Sequence, residues 1–479
     1  MSMRNTIFAF SFLLVSSFAW STVFIRWTSS SLPPTAAELG ITDLVIPWSN
    51  SFQAQVRAAR SRGYRVYVEV SLDKAAAAAT SGSELAGIIV TAQASENAEV
   101  KKALPKLREA HPKLKFLVLD LEGKQPQMRG SLVIKKGSVL EVSSPTAQPW
   151  IDTNLALVKV DQRAHPEQSP MYKFSWGAPS DSGSQRPTLT ADNYSLAVAE
   201  AGAFHADLIL DVDDRLQQGI SSRDPQALTL WNQVRLYANF YSHSADAGMK
   251  AAANVALVVD DLDPSDEAMN LLARHNIPFK VFVAGDLKLE DFDAFNVVVV
   301  FAKPDRSTSE RMGDLATRGK TVVLVDAHGS YPWQKGRPER LNEHALSYVV
   351  GNGKVLELSE PVTDPETFAQ DIRRLIGTQN VLLNLWNGLT TITVPYAQAG
   401  ENLKSLELIN YSGDPLRLQV QVKGSYSSIR YESPELKCCE SLVPAEHNGF
   451  TEFVIPDLRI AGRVHLEGNH TSNSLSNKK

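Results

Sequence analysis

Cysteine is almost missing from this chain: 479 residues contain two, Cys438 and Cys439, and they are adjacent. A ring between neighbouring cysteines is strained, so no disulfide framework holds the fold, and two free or half-buried thiols are expected. Nothing has the ligand spacing of a zinc site, and no Cys stands where a nucleophile would. No run of Lys and Arg occurs, and the net charge is −5. Nucleic acid is thereby argued against, because phosphate binding needs clustered cations. Internal repeats are also missing. What is there is a hydrophobic content of 43% with 21% charge, the composition of a globular protein with large cores. The length suggests two to four domains.

No apolar run is long enough for a membrane-spanning helix, which needs roughly 20 residues. The nearest is Thr6 to Trp20, 15 residues preceded by Arg4, with small residues at Ser17, Ala19 and Ser21. That pattern reads as a signal peptide over 1–21, so a secreted or periplasmic protein is expected, with no stable membrane span after its removal. The alternative is an uncleaved anchor. No Cys follows, so a lipid-modified N-terminal Cys is not available.

Over residues 22–245, short apolar strands alternate with amphipathic segments. The strand candidates are 22–27, 42–48, 65–72, 86–92, 115–121, 138–144, 171–177 and 206–213. Segments such as "SFQAQVRAARSRG" (51–63) and "SENAEVKKALPKLREAH" (95–111) carry helical periodicity. Alternation of this kind argues for a parallel sheet, and eight strands in about 220 residues fit a (β/α)8 barrel. The stretch "RGSLVIKKGSVLEV" (129–142) has a second reading, a β-hairpin inserted after the fifth strand with "KKG" at its turn. A seven-stranded barrel would then result.

A long helix is expected over 225–243, then a small, polar linker. A second α/β unit spans 252–378, with strands such as "NVALVVDDLD", "FNVVVVFAKPD" and "KTVVLVDAHGS". It reads as a flavodoxin-like, doubly wound layer. Within it, Asp263 is expected to cap a helix that has Pro264 at its first position. Over 380–467 the period changes to two, with turn clusters such as "NYSGDP", as in an antiparallel β-sandwich. The tail 468–479 is polar and expected to be disordered.

The order of barrel, flavodoxin-like layer and small sandwich resembles the β-galactosidases that carry a trimerisation domain in the middle. "NVALVVDD", "IPFKVFVAGD", "FNVVVVF" and "RGKTVVLVDAHGS" read like their amidotransferase-like domain. The resemblance implies a glycoside-hydrolase-like barrel, a carbohydrate ligand and a homo-oligomer through the middle domain. It covers the architecture and not the motifs. That family places Asn-Glu at the end of the fourth strand, where this chain has Glu96-Asn97 in reversed order. It places a second Glu at the seventh strand, and "MYKFSWG" ends without a carboxylate. The middle unit lacks a Cys, which excludes amidotransfer by a thiolate. His328 has no nucleophile elbow beside it, so a structural role is expected for it.

In a barrel the chemistry sits at the C-terminal strand ends. Those ends carry Arg26 and Trp27, Trp48, Glu69, Asp120 and Glu122, Trp150 with Asp152 and Asn154, Trp176, and Asp211, Asp213 and Asp214. Asp-x-Glu at a strand end resembles the signature of chitinase-like and some lysozyme-like barrels. By that resemblance Glu122 is the general acid, and Asp120 orients the substrate or raises the pKa of Glu122. The alternative is a pair that binds loop N–H groups, Lys124 or Arg129. Glu69 alternates with Tyr67 and Ser71 on the face turned to the barrel interior, a costly place for an unpaired carboxylate. It is a candidate second carboxylate, with an ion pair to Arg26 as the alternative. Asp211 is the other candidate. Trp48, Trp150 and Trp176 with Asn154 are expected to bind sugar, or the Trp rings to cap the barrel core. Asp213 or Asp214 is expected to cap a helix rather than hold calcium. No cofactor or metal is called for. Hydrolysis of a poly- or oligosaccharide is the reading, with a non-catalytic glycan-binding or scaffold protein as the alternative.

Overall fold

The computed structural model describes residues 22–29, 31–49, 52–82, 84–92, 96–120, 132–133, 150–151, 153–166, 168–174, 189–242, 249–260, 265–284, 287–398, 402–437 and 439–468. The candidate signal peptide, the candidate strand 138–144 and the tail from 469 lie outside them.

The first domain is built from β1 (Val23–Arg26), α1 (Ala36–Leu39), β2 (Asp43–Pro47), α2 (Phe52–Arg60), β3 (Arg65–Ser71), α3 (Leu72–Ser81), β4 (Gly87–Ala92), α4 (Asn97–Ala110) and β5 (Lys115–Asp120). There follow β6 (Leu132–Val133), β7 (Trp150–Ile151), α5 (Leu155–Ala164), β8 (Met171–Lys173), α6 (Ala191–Ala203), β9 (Asp207–Asp211), α7 (Asp214–Ser221) and α8 (Pro225–Ser242). Seven of these strands form one parallel sheet in the order β5-β4-β3-β2-β1-β9-β8. Both sheet faces are buried, which explains the near-continuous apolar strands. Outward residues such as Ile25, Val68, Ile88, Val118 and Leu210 pack beneath the helices. Inward residues Phe24, Val45, Tyr67, Ile89, Leu117, Met171 and Ile209 fill the lumen.

The edge strands β5 and β8 lie in contact, so the sheet curls into a barrel. Part of the seam is made by a side chain: Gln168 Nε2 donates to Val118 O at 3.0 Å, and Val118 N donates to Gln168 Oε1 at 3.1 Å. The carboxamide thus gives β5 the donor and acceptor of a neighbouring strand. A hairpin is inserted after β5, but its described pairing differs from a tight "KKG" turn. Leu132 pairs with Ile151 and Val133 with Trp150, antiparallel, and the residues between the two strands lie outside the described set.

After β10 (Lys250–Ala251) the second domain runs through β11 (Val255–Val259), α9 (Asp266–Arg274), β12 (Phe279–Val283), β13 (Val297–Val300), α10 (Arg306–Thr317), β14 (Thr321–Leu324), β15 (Glu339–Asn342), β16 (Ala345–Val350), β17 (Gly353–Leu358) and α11 (Pro365–Ile376). Its sheet order is β12-β11-β13-β14-β17-β16-β15, with the first five strands parallel. The parallel part is the flavodoxin-like order, extended by an antiparallel edge. Helix α9 begins at Asp266, with Ser265 as its N-cap; Asp263 and Pro264 lie outside the described residues. His328 pairs with Asp326 at 2.8 Å.

The third domain holds β18 (Leu383–Trp386), β19 (Thr391–Ala397), β20 (Leu403–Asn410), β21 (Leu416–Lys423), β22 (Tyr426–Glu432), β23 (Glu440–Leu442), β24 (Ala445–His447), β25 (Phe450–Leu458) and β26 (Ala461–Gly468). Two sheets, β10-β19-β20-β26-β22-β23 and β18-β21-β25-β24, enclose a core that includes Leu406, Leu418, Val420 and Val464. The stretch read as linker contributes β10 to this sandwich, since Lys250 pairs with Ala397. Cys439 is exposed, and Cys438 lies outside the described residues. No helix among the described residues is long and apolar enough to cross a membrane.

Candidate functional site: a charged layer at the barrel mouth

Strand alternation stacks the inward residues in layers. At the N-terminal end, Arg65 Nη2 meets Asp43 Oδ2 at 2.5 Å, and Asp207 Oδ1 accepts from Thr22 N at 2.8 Å. The apolar layer follows. At the C-terminal end the registers bring Arg26 level with Asp211, while Glu69 and Lys173 stand two residues beyond Tyr67 and Met171 on the same inward faces.

These four side chains form one chain of charge. Arg26 Nε lies 2.6 Å from Glu69 Oε2, Arg26 Nη1 lies 3.3 Å from Asp211 Oδ1, and Lys173 Nζ lies 3.2 Å from Glu69 Oε1. Burial alone would raise the pKa of Glu69, but Arg26 and Lys173 outweigh it and hold the carboxyl below its ordinary range. Burial likewise works against the charge of Arg26, and its two carboxylate partners more than offset this. Glu69 is therefore the ion pair weighed from the sequence, with a second cation added. Lys173 was missed by reading strand ends for carboxylates and tryptophans. Its signal was a lone cation at the end of an apolar strand, in phase with Met171.

A cleft of about 1040 Å³ opens beside this layer, over the C-terminal end of β9. Arg26, Thr28, Asp211, Asp214, Arg215 and Leu230 are among the residues that line it. Asp213 is structural: its Oδ1 accepts from Leu216 N at 2.9 Å as the α7 cap, and its Oδ2 accepts from Tyr194 OH at 2.6 Å. Gln217 pins the β1 loop, accepting from Ser29 N at 2.9 Å and donating to Thr28 Oγ1 at 3.1 Å. No group of three or more metal-ligating side chains occurs among the described residues.

The remaining sequence candidates divide. Asp120 ends β5 opposite Ala92, and its side chain, like that of Trp150, is outside the described set. Glu122, Asp152 and Trp176 also lie outside the described residues. Trp48 is half-buried after β2, with its ring 4.4 Å from that of Phe52. Trp27 is a core ring, 4% exposed, donating from Nε1 to Ser31 O at 2.6 Å. Asn154 is the clear departure from expectation. It is 1% exposed, and its Nδ2 donates to Glu200 Oε1 at 2.6 Å. Glu200 also accepts from Tyr411 OH of the sandwich at 2.6 Å and from Tyr172 OH at 3.3 Å. Beside it, Thr153 N donates to Asn270 Oδ1 of α9 at 3.1 Å. The Asn154 amide thus serves a buried junction of three domains and is closed to a ligand.

No protein-family model and no curated protein matches the sequence. Solved structures do match its fold. An α-L-fucosidase, isoenzyme 2 from Paenibacillus thiaminolyticus, superposes with a TM-score of 0.60 at 12% identity, over 94% of this chain and 100% of that one. The chain shares the fold of this enzyme. A β-galactosidase from Bacillus circulans sp. alkalophilus gives a TM-score of 0.54 at 9% identity, covering 94% of this chain and 99% of its own. The cold-adapted β-galactosidase from Rahnella sp. R3 gives 0.50 at 8% identity, covering 88% and 95%. In this barrel the charged layer occupies the C-terminal strand-end face, the face on which β/α barrels assemble their sites. Identities this low carry the fold and no residue-by-residue equivalence.

Proposed function

We propose that the protein is an exported glycoside hydrolase acting on a poly- or oligosaccharide at the barrel mouth. The observation that supports it is the Arg26–Glu69–Lys173–Asp211 layer at the strand ends of a glycosidase-like barrel, opening on a large cleft. Glycoside hydrolysis needs one carboxyl to protonate the leaving oxygen and a second, ionised, to attack the sugar or activate water. Glu122, beyond β5, is assigned the acid. For the second role Asp211 is preferred to Glu69: both Glu69 oxygens are taken by cations, whereas Asp211 lines the cleft. Glu69 then positions Arg26, which orients Asp211.

The test is turnover of chromogenic α-L-fucosides, β-D-galactosides and polysaccharides by wild type, Glu122→Gln and Asp211→Asn. Loss of at least about a hundredfold in kcat/KM in both variants is expected. Wild-type rates in both overturn the assignment. Export is tested by the N-terminus of protein recovered outside the cytoplasm, expected near residue 22.

A second reading, glycan binding without turnover, draws on the cation-held Glu69, whose carboxyl Arg26 and Lys173 keep below its ordinary range, so that it does not hold the proton a general acid must give. Binding by calorimetry with no hydrolysis of any of these substrates would favour it.

A further inference from the structure

The outer face of the sheet β18-β21-β25-β24 carries an exposed tryptophan that the core does not need. Trp386 ends β18, is 42% exposed, and is held there by a turn in which Asn387 takes a φ of 61°. In register with it on β21 is Gln419, and one step along the sheet Asn384, Gln421 and Glu452 form a row across three strands.

Hydrogen bonds order that row. Asn384 Nδ2 donates to Gln421 Oε1 at 2.8 Å, and Gln421 Nε2 donates to Glu452 Oε1 at 2.8 Å. Gln419 Nε2 reaches Glu452 Oε2 at 3.5 Å. At its far end Arg373 of α11 donates to Asn384 Oδ1, and the same guanidinium donates to His275 O at 2.6 Å. The amides are thus fixed in place before any ligand arrives.

From this face we infer a second carbohydrate site, in which Trp386 stacks on a neutral pyranose of a glycan chain and the Gln419, Gln421 and Glu452 row reads its hydroxyls. Residues two apart on a strand are roughly 7 Å apart, so one sugar ring spans the Trp and the polar row. An aromatic ring with a polar rim suits a ligand with an apolar CH face and hydroxyl edges. An isolated apolar contact between protein copies would have no use for the ordered amides. The site lies in a different domain from the mouth and shares only the class of ligand with the proposed function. Its role would be to keep the enzyme on a polymer while the barrel works on chain ends or branches.

The experiment is affinity electrophoresis of the full chain in gels holding neutral galactan, xyloglucan or dextran, beside an acidic polysaccharide. Trp386→Ala is expected to weaken retention by a neutral polymer about tenfold or more, the scale of losing a central aromatic anchor. Trp386→Phe should keep part of it, and Leu341→Ser, at an exposed apolar residue of the middle domain, should leave it intact. Retention by Trp386→Ala equal to wild type overturns the site. So does an equal loss of retention in Leu341→Ser, retention by the acidic polymer only, or a change in solution mass in Trp386→Ala. Retention through Trp386 without turnover would leave this site standing and remove the hydrolase reading.

Discussion

Both oxygens of Glu69 are engaged by cations from other strands, Lys173 on Oε1 and Arg26 on Oε2, and its side chain is 12% exposed. Replacing it with Gln leaves two cations short of a partner in a partly dry lumen. A loss of about 2 kcal/mol in urea unfolding is expected, below the figure for a fully buried pair. The sign with pH follows from the direction of the shift. The folded pKa is lowered, so the stabilisation is present above the ordinary value of 4.5 and is lost as pH falls through the lowered one. The gap between wild type and Glu69→Gln should therefore close progressively on acidification below 4.5. Asp207, 3% exposed at the other end of the barrel, behaves oppositely: desolvation raises its pKa from 3.8 to about 7. Its stabilisation is complete below 3.8 and lost as pH rises through about 7. Asp207→Asn keeps an acceptor for Thr22 N and should be more stable than wild type at pH 8, by on the order of 3 kcal/mol, with no gain at pH 4. Equal stabilities at both pH values would refute this. Glu69 was legible in the sequence because strand alternation turns it inward. Asn154 was misread because proximity to a strand end says nothing about a buried carboxylate 46 residues away.

At the scale of elements, the strands were the easiest to read. Both faces of the barrel sheet are buried, so each strand is an apolar run, and helices of the two α/β domains carry visible caps, such as Asp213 before α7 of the barrel and Asp364 with Pro365 at the start of α11 of the middle domain. The first strand candidate, 22–27, is present as β1, between β2 and β9. The seam was illegible. Gln168 sits in a loop, and nothing in its local sequence marks it as standing in for a strand. Gln168→Ala strands the N–H and C=O of Val118 in a buried wall and should cost about 1–3 kcal/mol. Gln168→Glu should not rescue it, since a carboxylate accepts from Val118 N but cannot donate to Val118 O. Chemical denaturation of the two variants checks this, and a fully stable Gln168→Glu would mean that the carbonyl finds another donor.

Across the whole molecule the barrel and the sandwich meet at Glu200, where Tyr172 and Asn154 of the barrel and Tyr411 of the sandwich converge on one carboxylate, and the adjacent Thr153 N–H reaches Asn270 of the middle domain. Burial raises its pKa in spite of those donors. Tyr411→Phe removes a donor that nothing nearby replaces. It should cost about 1–3 kcal/mol and split a single calorimetric transition into two as the sandwich uncouples. One unchanged transition would show that the junction does not tie the domains. The order of the domains was legible, because the hydrophobic period changes from mixed to two near residue 380. The junction was not, since its members are scattered from Thr153 to Tyr411. Strand β10 has a consequence of a different kind. Its partner β19 is made roughly 150 residues later, which at ribosomal speed is a delay on the order of 7–30 s. Throughout that interval the nascent chain offers an unpaired edge next to a barrel already complete in sequence. The sandwich is thus begun before the flavodoxin-like layer and finished after it, so any pause in translation between the two lengthens the exposure of that edge.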